Sequence, residues 1–438
     1  MITRLLASAA VAALMGLSVP AHAATSPEAP GALVQVSPAA VQAVDGFYAT
    51  RGGAPLWLRS GADSGAARAL IGALQRSSLD GLDNGPAFAA QAQSLIARAQ
   101  AGDPAAARAA DRLLSVAWVA YVQALQQPPS GMIYADRWVQ PRRDTPMQIL
   151  ARTAAATSLA GYVRSVSQVN PLYAQLRDAA WTAMQSNGGT VDPRVLISLD
   201  RARDMPFQHK YVMVDTAAAR LYMIEDGQIA GSMKVAVGKP GVKTQTPMLA
   251  STIYYATLNP YWHVGPELVR SLIAKNVLEQ GVGYLQRQGY QVMPADPSDD
   301  TLLDPTKVDW HAVANGDLQV RVRQLPGPAN SMGHVKFGFP NSYDIYLHDT
   351  PVKELFAQDD RTISHGCIRL EDAERLARWM MGRDPQSASA TPEQNVALPT
   401  PVPIFVTYLT AQAHDGQLSF VDDIYGRDEQ AMRVAALR

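Results

Sequence analysis

Cys367 is the residue in this sequence best suited to catalysis, because it is the only cysteine and two histidines lie near it. His348 precedes it by 19 residues and His365 by two. A thiol attacks a carbonyl as thiolate, and a neighbouring imidazole can take its proton or stabilise its charge. Gly366 keeps side chains away from a substrate carbonyl, and the helix-like stretch 371–380 is expected to gather N–H donors suited to an oxyanion. The pattern indicates nucleophilic catalysis.

Two other interpretations of these residues remain open. Cys367 can be a buried apolar thiol, with His365 as a capping or packing residue. Alternatively, His348, Asp349, His365 and Cys367 can ligate a metal, since zinc held by two imidazoles and one thiolate occurs in catalytic sites. The remaining histidines show no ligand spacing: His209, His263, His311, His334 and His414.

The elements that would position these residues differ between the two halves of the chain. Apolar residues at helical spacing predict a mostly helical scaffold domain over residues 41–206. From residue 207 short β-branched and aromatic runs predict strands, mainly antiparallel, in a second domain over 207–425, followed by a C-terminal tail over 426–438. The predicted class is therefore α+β. His348 would lie at the end of a strand over 344–347, and an insertion over about 265–325 suggests a lid.

Composition excludes several classes of protein. The 438 residues are 47% hydrophobic and 18% charged, which excludes a wholly disordered chain. Lys and Arg total 38 against 39 Asp and Glu, so no overall basic field is available to hold nucleic acid or anionic lipid. One cysteine allows neither an intramolecular disulfide nor a cysteine-based metal cage.

The N-terminus has the features of a secretory signal peptide. Arg4 precedes an apolar run from Leu5 to Val19 and the ending Ala21-His22-Ala23. That run is shorter than the roughly 20 residues that span a bilayer. We therefore predict a signal peptide over 1–23, a flexible leader over 24–40 and a mature periplasmic chain without a transmembrane segment, given a Gram-negative source. An unpaired cysteine is unusual in an exported protein, which favours a working nucleophile.

The motif Ser364-His365-Gly366-Cys367-Ile368-Arg369-Leu370, with the preceding His348, resembles the signature of the L,D-transpeptidase (YkuD) catalytic domain. Further segments resemble the long, YcbB-like branch of that family, over about residues 211–425 in all: 259–264, 326–333, 336–340 and 346–351. Similarity in the helical region is weaker. The small peptidoglycan-binding module common in this branch is not evident in 159–206, which leaves open how the chain would dock on glycan.

This resemblance implies a role for each residue of the motif. Cys367 would be the nucleophile and His348 the general base and acid, oriented by the carbonyl of Asp349 or by its carboxylate. The amides of Gly366 and Cys367 would form the oxyanion hole. The substrate pocket would be shaped by five residues: His365, Arg369, Tyr346, Trp262 and Ser364. The family fold is a β-rich sandwich with a capping insertion, and it uses neither a cofactor nor a metal.

The function that the resemblance implies is peptidoglycan L,D-transpeptidation. The thiolate would attack the third residue of a tetrapeptide stem, release D-Ala and pass the acyl group to an amine, giving a 3→3 or 1→3 cross-link. Arg369, Arg361 and Lys336 are candidate contacts for the carboxylates of the stem. Acylation by carbapenems is implied as well. A zinc-dependent wall amidase or peptidase and a catalytically idle wall-binding scaffold are the alternatives, and the acceptor stays open.

Overall fold

Eight helices form the first part of the chain. The computed structural model describes residues 37–62, 64–204, 209–385 and 391–436, so the predicted signal peptide and most of the predicted leader lie outside the described residues. The first helix begins at Pro38, inside the predicted leader, because proline suits the first helical turn and Val44 and Phe47 are buried. The helices are α1 Pro38–Thr50, α2 Gly65–Gln75, α3 Gly85–Gln100, α4 Pro104–Leu125, α5 Pro146–Ala155, α6 Leu159–Gln168, α7 Pro171–Ser186 and α8 Pro193–Arg201.

The buried carboxylate of Asp111, on α4, organises the helical region. It accepts the backbone N–H groups of Leu56, Trp57 and Leu58 at 2.7 to 2.8 Å and the hydroxyl of Tyr48. A segment without regular structure is thus tied to the longest helix, and its N–H groups are satisfied without water.

A large mixed sheet forms the second part of the chain. Its strands are β1 Ile133–Tyr134, β2 Lys210–Asp215, β3 Arg220–Glu225, β4 Gln228–Gly238, β5 Leu249–Leu258, β9 Val335–Gly338, β10 Tyr346–His348, β11 Thr362–Ser364, β12 Ile368–Leu370 and β13 Gln394–Thr407. They run in the order β1-β5-β13-β2-β3-β4-β12-β10-β9, with β11 on β4, and β9 also pairs with β5. The sheet therefore curls back on itself.

The strand directions differ from the antiparallel prediction in four places. The pairs β1–β5, β10–β12, β11–β4 and β13–β2 are parallel. Parallel pairing requires long connections, and the segment between β10 and β12 is such a connection. Inside the curled sheet, residues such as Val235, Leu347, Ile368 and Ile404 are buried against helix α13, Ala373–Met381.

Residues between β5 and β9 form a small inserted layer. Its strands, β6 Trp262–Val264, β7 Tyr290–Pro294 and β8 Val320–Gln324, pair in the order β6-β8-β7. Its helices are α9 Pro266–Leu268, a π-helical turn Val269–Ala274, α10 Lys275–Gln280, α11 Gly283–Arg287 and α12 Trp310–Asn315. A separate apolar core around Ile273 and Trp310 holds it together. It corresponds to the lid expected over about 265–325.

After the large sheet the chain forms a hairpin, which lies within the predicted domain 207–425, and a helix within the segment expected as a C-terminal tail, 426–438. Strands β14 Ala411–His414 and β15 Gln417–Phe420 form a hairpin, and helix α14 covers Arg427–Ala436. The carboxylate of Asp428 pairs with buried Arg201 at the end of α8 and accepts the hydroxyl of Thr410. A buried ion pair joins this segment to the helical region.

Three short 3-10 helices complete the described ranges: Arg137–Val139, Pro305–Lys307 and Lys353–Ala357. In the part of the chain that the structure describes, no helix is both long and apolar enough to cross a membrane.

Candidate active site

One face of the curled sheet carries the residues of the motif. The parallel pairing of β10 with β12 sets Leu347 opposite Ile368 and His348 opposite Arg369. Leu347 and Ile368 point into the core. Because strand side chains alternate, His348 and Arg369 point to the other face. Tyr346, two residues before His348, and Cys367, which directly precedes β12 and lies two residues before Arg369, are on that face as well. The sheet register thus gathers the histidine and the cysteine on one surface.

The imidazole of His348 is held in a single tautomer. Its Nδ1 lies 2.6 Å from the backbone oxygen of Asp349. A carbonyl oxygen only accepts, so Nδ1 carries the proton and Nε2 keeps a lone pair. Burial, reinforced by the charge of Arg369, lowers the pKa of His348 to about 3. The ring is therefore neutral at neutral pH and can accept a proton at Nε2.

The carboxylate of Asp349 is used elsewhere. It accepts the N–H of His334 at 3.0 Å and the ammonium of Lys353 at 2.7 Å. Lys353 also donates to the carbonyl of Glu371 at 2.9 Å. The sequence left open whether the carbonyl or the carboxylate of Asp349 orients the imidazole of His348, and in the structure it is the carbonyl. The carboxylate instead anchors the segment that bears this carbonyl.

The thiol of Cys367 is half-buried beside Tyr346. Burial raises the pKa of Cys367, and hydrogen bonds from Tyr346 and the charge of Arg369 oppose that rise only in part. Sγ lies 3.6 Å from the backbone oxygen of Asp344. Burial and the neighbouring sulfur raise the pKa of Tyr346, which keeps its phenol a neutral donor. At rest the site therefore contains a neutral thiol and a neutral imidazole, so the thiolate must form as the sulfur attacks.

The loop before Cys367 is held by hydrogen bonds at each of its peptide groups. The hydroxyl of buried Ser364 accepts the N–H of Gly366 at 3.0 Å and donates to the carbonyl of Cys367 at 2.6 Å. The hydroxyl of Thr246 donates to the carbonyl of Gly366 at 2.8 Å. Gly366 has a φ of 117°, in the region that favours glycine.

These contacts differ from two expectations. The N–H of Gly366 is taken by Ser364, so it does not serve as an oxyanion donor in this arrangement, and Ser364 shapes the loop from within. Strand β12 follows Cys367 directly, and helix α13 begins only at Ala373 because Asp372 caps it. The donors near the sulfur are thus the N–H of Cys367 and both the phenol and the backbone N–H of Tyr346, and the guanidinium of Arg369 lies beside them.

The other expected pocket residues fall into two groups. Lys336 lies on the same face, with Nζ 5.5 Å from the ring centre of Tyr346, and Arg369 is half-buried beside the thiol. His365 is exposed, and its pKa is lowered by partial burial and by neighbouring cations. Glu267 of the insertion opposes that shift, which indicates that the insertion faces the loop.

Two predicted contacts have structural partners of their own. Trp262 packs against the core of the insertion, with its ring 6.2 Å from that of Tyr290. The guanidinium of Arg361 donates to backbone carbonyls, including those of Val235 at 3.1 Å and Gln358 at 2.8 Å. It therefore joins β4 to the segment before β11, and its donors are engaged within the protein.

The sequence analysis missed Lys353 and Thr246. The spacing of four residues between Asp349 and Lys353 is a signal that favours an ion pair, and it was available. Thr246 lies 120 residues before Gly366, and no local pattern connects the two.

No three histidine, cysteine, aspartate or glutamate side chains within residues 37–62, 64–204, 209–385 and 391–436 are grouped so that they could hold a metal ion. The ligand set that the zinc alternative needs, with His348, His365 and Cys367, is not gathered there.

Comparison with known proteins gives two family matches. Residues 209–404 match the YkuD family, described as an L,D-transpeptidase catalytic domain, and residues 42–179 match a family described as a scaffold domain. A Haemophilus influenzae protein named "Putative L,D-transpeptidase" is 26% identical over 395 residues, which cover 88% of this chain and 78% of that protein.

Solved structures of L,D-transpeptidases align over less of the chain. One from Mycobacterium smegmatis is 17% identical, with a TM-score of 0.23, over 45% of this chain and 58% of that one. One from Enterococcus faecium is 12% identical, with a TM-score of 0.24, over 45% of this chain and 50% of that one. The chain thus spans between 50% and 58% of the length of these two relatives. The two family matches assign the parts of the chain: residues 209–404 are a YkuD L,D-transpeptidase catalytic domain, and residues 42–179, which precede it, are a scaffold domain.

Proposed function

We propose that the protein is a peptidoglycan L,D-transpeptidase in which Cys367 is the nucleophile. It would attack the carbonyl of the third residue of a tetrapeptide stem, release the terminal D-Ala and transfer the acyl group to an amine of a second stem. The observation that carries this proposal is the shared face of the sheet: the half-buried thiol directly precedes β12, and β12 pairs with β10, which bears an imidazole with a free lone pair.

The proton transfers follow from the neutral resting state. As Sγ bonds to the carbonyl carbon, the thiol proton passes to Nε2 of His348 and the carbonyl oxygen becomes an oxyanion. The negative charge of this intermediate favours the imidazolium that burial otherwise disfavours. His348 then gives the proton to the nitrogen of D-Ala, the C–N bond breaks, and a thioester remains.

The second half of the reaction repeats these transfers in reverse. The acceptor amine attacks the thioester and gives its proton to Nε2, and His348 returns a proton to the sulfur as the C–S bond breaks. The N–H of Cys367 and the phenol of Tyr346 are the donors available to the oxyanion in both halves. Arg369 and Lys336 supply positive charge on the same face for the carboxylates of the stem.

Transfer must outcompete hydrolysis of the thioester. The inserted layer is the candidate lid, since it joins the paired strands β5 and β9 and its Glu267 lies within electrostatic range of His365. A lid that excludes water and orients the amine favours cross-linking over carboxypeptidation. The periplasm, where stems and acceptors occur, is the proposed location.

Incubation with a disaccharide-tetrapeptide that contains diaminopimelate tests the proposal. We expect released D-Ala and a cross-linked dimer, detected by mass spectrometry, and one imipenem adduct per chain in the intact protein. Because Cys367 is the only cysteine, Cys367→Ala should abolish both results while leaving the thermal unfolding midpoint close to that of the native chain.

Three outcomes would contradict this assignment. The absence of both D-Ala release and the adduct would favour an idle wall-binding scaffold. Activity that is lost with a stoichiometric metal on chelation would favour a zinc amidase. Full activity of Cys367→Ala would rule out a role of the thiol as nucleophile.

A further inference from the structure

Thr246 connects the loop before Cys367 to a distant part of the chain. Its side chain is fully buried, and its hydroxyl makes two hydrogen bonds. It accepts the N–H of Gly238, at the end of β4, at 2.9 Å and donates to the carbonyl of Gly366 at 2.8 Å. The hydroxyl therefore determines the direction of the Gly366 carbonyl.

That direction sets the position of an oxyanion donor. The carbonyl of Gly366 and the N–H of Cys367 belong to one peptide group, which is planar and trans. An oxygen held by Thr246 obliges the N–H of Cys367 to point the opposite way. The N–H of Gly366 is engaged by Ser364, so the Cys367 amide is the backbone donor left in this loop for the oxyanion.

The C-terminal segment holds Thr246 in turn. The phenol of Tyr425 donates to the carbonyl of Gly238 at 2.6 Å and lies 3.4 Å from the N–H of Thr246, which donates to it. The guanidinium of Arg427 donates to the carbonyl of Thr246 at 2.8 Å. It also lies 5.0 Å from the ring centre of Tyr408 and 4.9 Å from that of Tyr425, two rings that stack on each other. Backbone and side chain of Thr246 are thus both fixed.

We propose that Thr246 is a positioning residue that aims the Cys367 N–H at the oxyanion, and that Tyr425 and Arg427 hold Thr246 in place for this task. The inference rests on the proposed function, since it concerns acyl transfer to Cys367. It gives the C-terminal segment a part in catalysis through the contacts of Tyr425 and Arg427 with Gly238 and Thr246. Without the hydroxyl, the Gly366–Cys367 peptide can rotate and the donor is lost from the site.

Two reactions of the same sulfur separate positioning from a general effect. Acylation by imipenem forms an oxyanion, whereas alkylation by iodoacetamide displaces iodide and forms none. Thr246→Val keeps the shape of the side chain and removes the hydroxyl. We expect the acylation rate constant to fall by about 10- to 100-fold, within the range for an impaired oxyanion donor, and the alkylation rate to change by less than about threefold.

A matched control and a conservative variant accompany this test. Thr153, in the scaffold domain, is equally buried, and its hydroxyl also accepts one hydrogen bond and donates one. Thr153→Val should lower the unfolding midpoint much as Thr246→Val does and leave acylation unchanged. Thr246→Ser retains the hydroxyl and should restore most of the acylation rate. Tyr425→Phe should slow acylation by imipenem several-fold and leave alkylation by iodoacetamide unchanged. This variant tests the inference if Thr246→Val does not fold.

Two results would overturn the inference. Acylation that is unchanged in Thr246→Val and Tyr425→Phe would show that the peptide keeps its orientation unaided. Acylation and alkylation that fall together would show that Thr246 affects access to the sulfur or its ionisation. A native protein that is alkylated by iodoacetamide but not acylated by imipenem, and that releases no D-Ala, would instead refute the proposed function.

Discussion

At pH 4 the imidazole of His348 should still be about nine-tenths neutral, because burial lowers its pKa to about 3. A histidine with the ordinary pKa of about 6.5 would be only about 0.3% neutral at that pH, roughly two hundredfold less than at pH 7. The neutral form is the base that accepts the proton of Cys367. We therefore expect the rate constant for acylation by imipenem to change by less than about twofold between pH 7 and pH 4.

The assay is stopped-flow measurement of β-lactam absorbance, with circular dichroism at each pH to confirm that the chain is folded. Arg369→Met removes a positive charge that lowers the pKa of His348 and should move the acid limb of the profile to higher pH. A rate that falls about tenfold per pH unit below pH 6.5 in the native protein would refute the account of a buried neutral base. So would a thiolate absorbance near 240 nm at pH 7, since burial raises the pKa of Cys367.

Three further outcomes are expected. Lys353→Met should slow imipenem acylation by about tenfold without changing alkylation by iodoacetamide. The reason is that the carboxylate of Asp349 loses its cation, so the carbonyl of Asp349 that orients the imidazole moves. An unchanged acylation rate would show that this carbonyl needs no such anchor. Asp111→Ala should lower the free energy of unfolding by about 3 kcal/mol or more in urea titrations, because three backbone N–H groups lose their acceptor; a loss below about 1 kcal/mol would contradict this. Since the pKa of His348 in the folded protein lies below the unfolded value of about 6.5, its contribution to stability is complete above pH 6.5 and declines as the pH falls toward 3. Between pH 6 and pH 4 the free energy of unfolding of the native protein should fall by about 1.4 kcal/mol per pH unit more than that of His348→Gln. Equal slopes of unfolding free energy against pH in the two proteins would contradict the lowered pKa.

Local patterns were sufficient to predict the strand at whose end His348 lies. The run over 344–347 was predicted as a strand, and the observed strand Tyr346–His348 ends at the histidine. Alternation then places His348 and Tyr346 on the face opposite Leu347. The helical nature of the first half and the insertion before β9 also follow from periodicity, since each extends over many residues of consistent pattern.

What local patterns missed depends on contacts between distant residues. The expected donor at Gly366 is unavailable because a serine two residues earlier takes it, and side-chain direction in a loop is not visible in periodicity. The helix Arg427–Ala436 lies in the segment 426–438, which was predicted only as a C-terminal tail. Asp428 joins this helix to Arg201, which lies 227 residues away in the sequence. Parallel strand pairing was missed for the same reason, as nothing local distinguishes it from antiparallel pairing.

The two-residue strand Ile133–Tyr134 of the scaffold region has a consequence for how the chain can be divided. It pairs with the start of β5, a part of that strand that β9 does not reach, and the N–H groups of Ile133 and Ala135 donate to the carbonyls of Met248 and Ala250. A catalytic fragment that began after residue 204 would leave this short stretch of backbone as an open edge, able to accept a strand from another molecule. The scaffold region thus contributes a strand to the sheet of the catalytic domain, and we expect a fragment cut between the two domains to self-associate through this edge of β5.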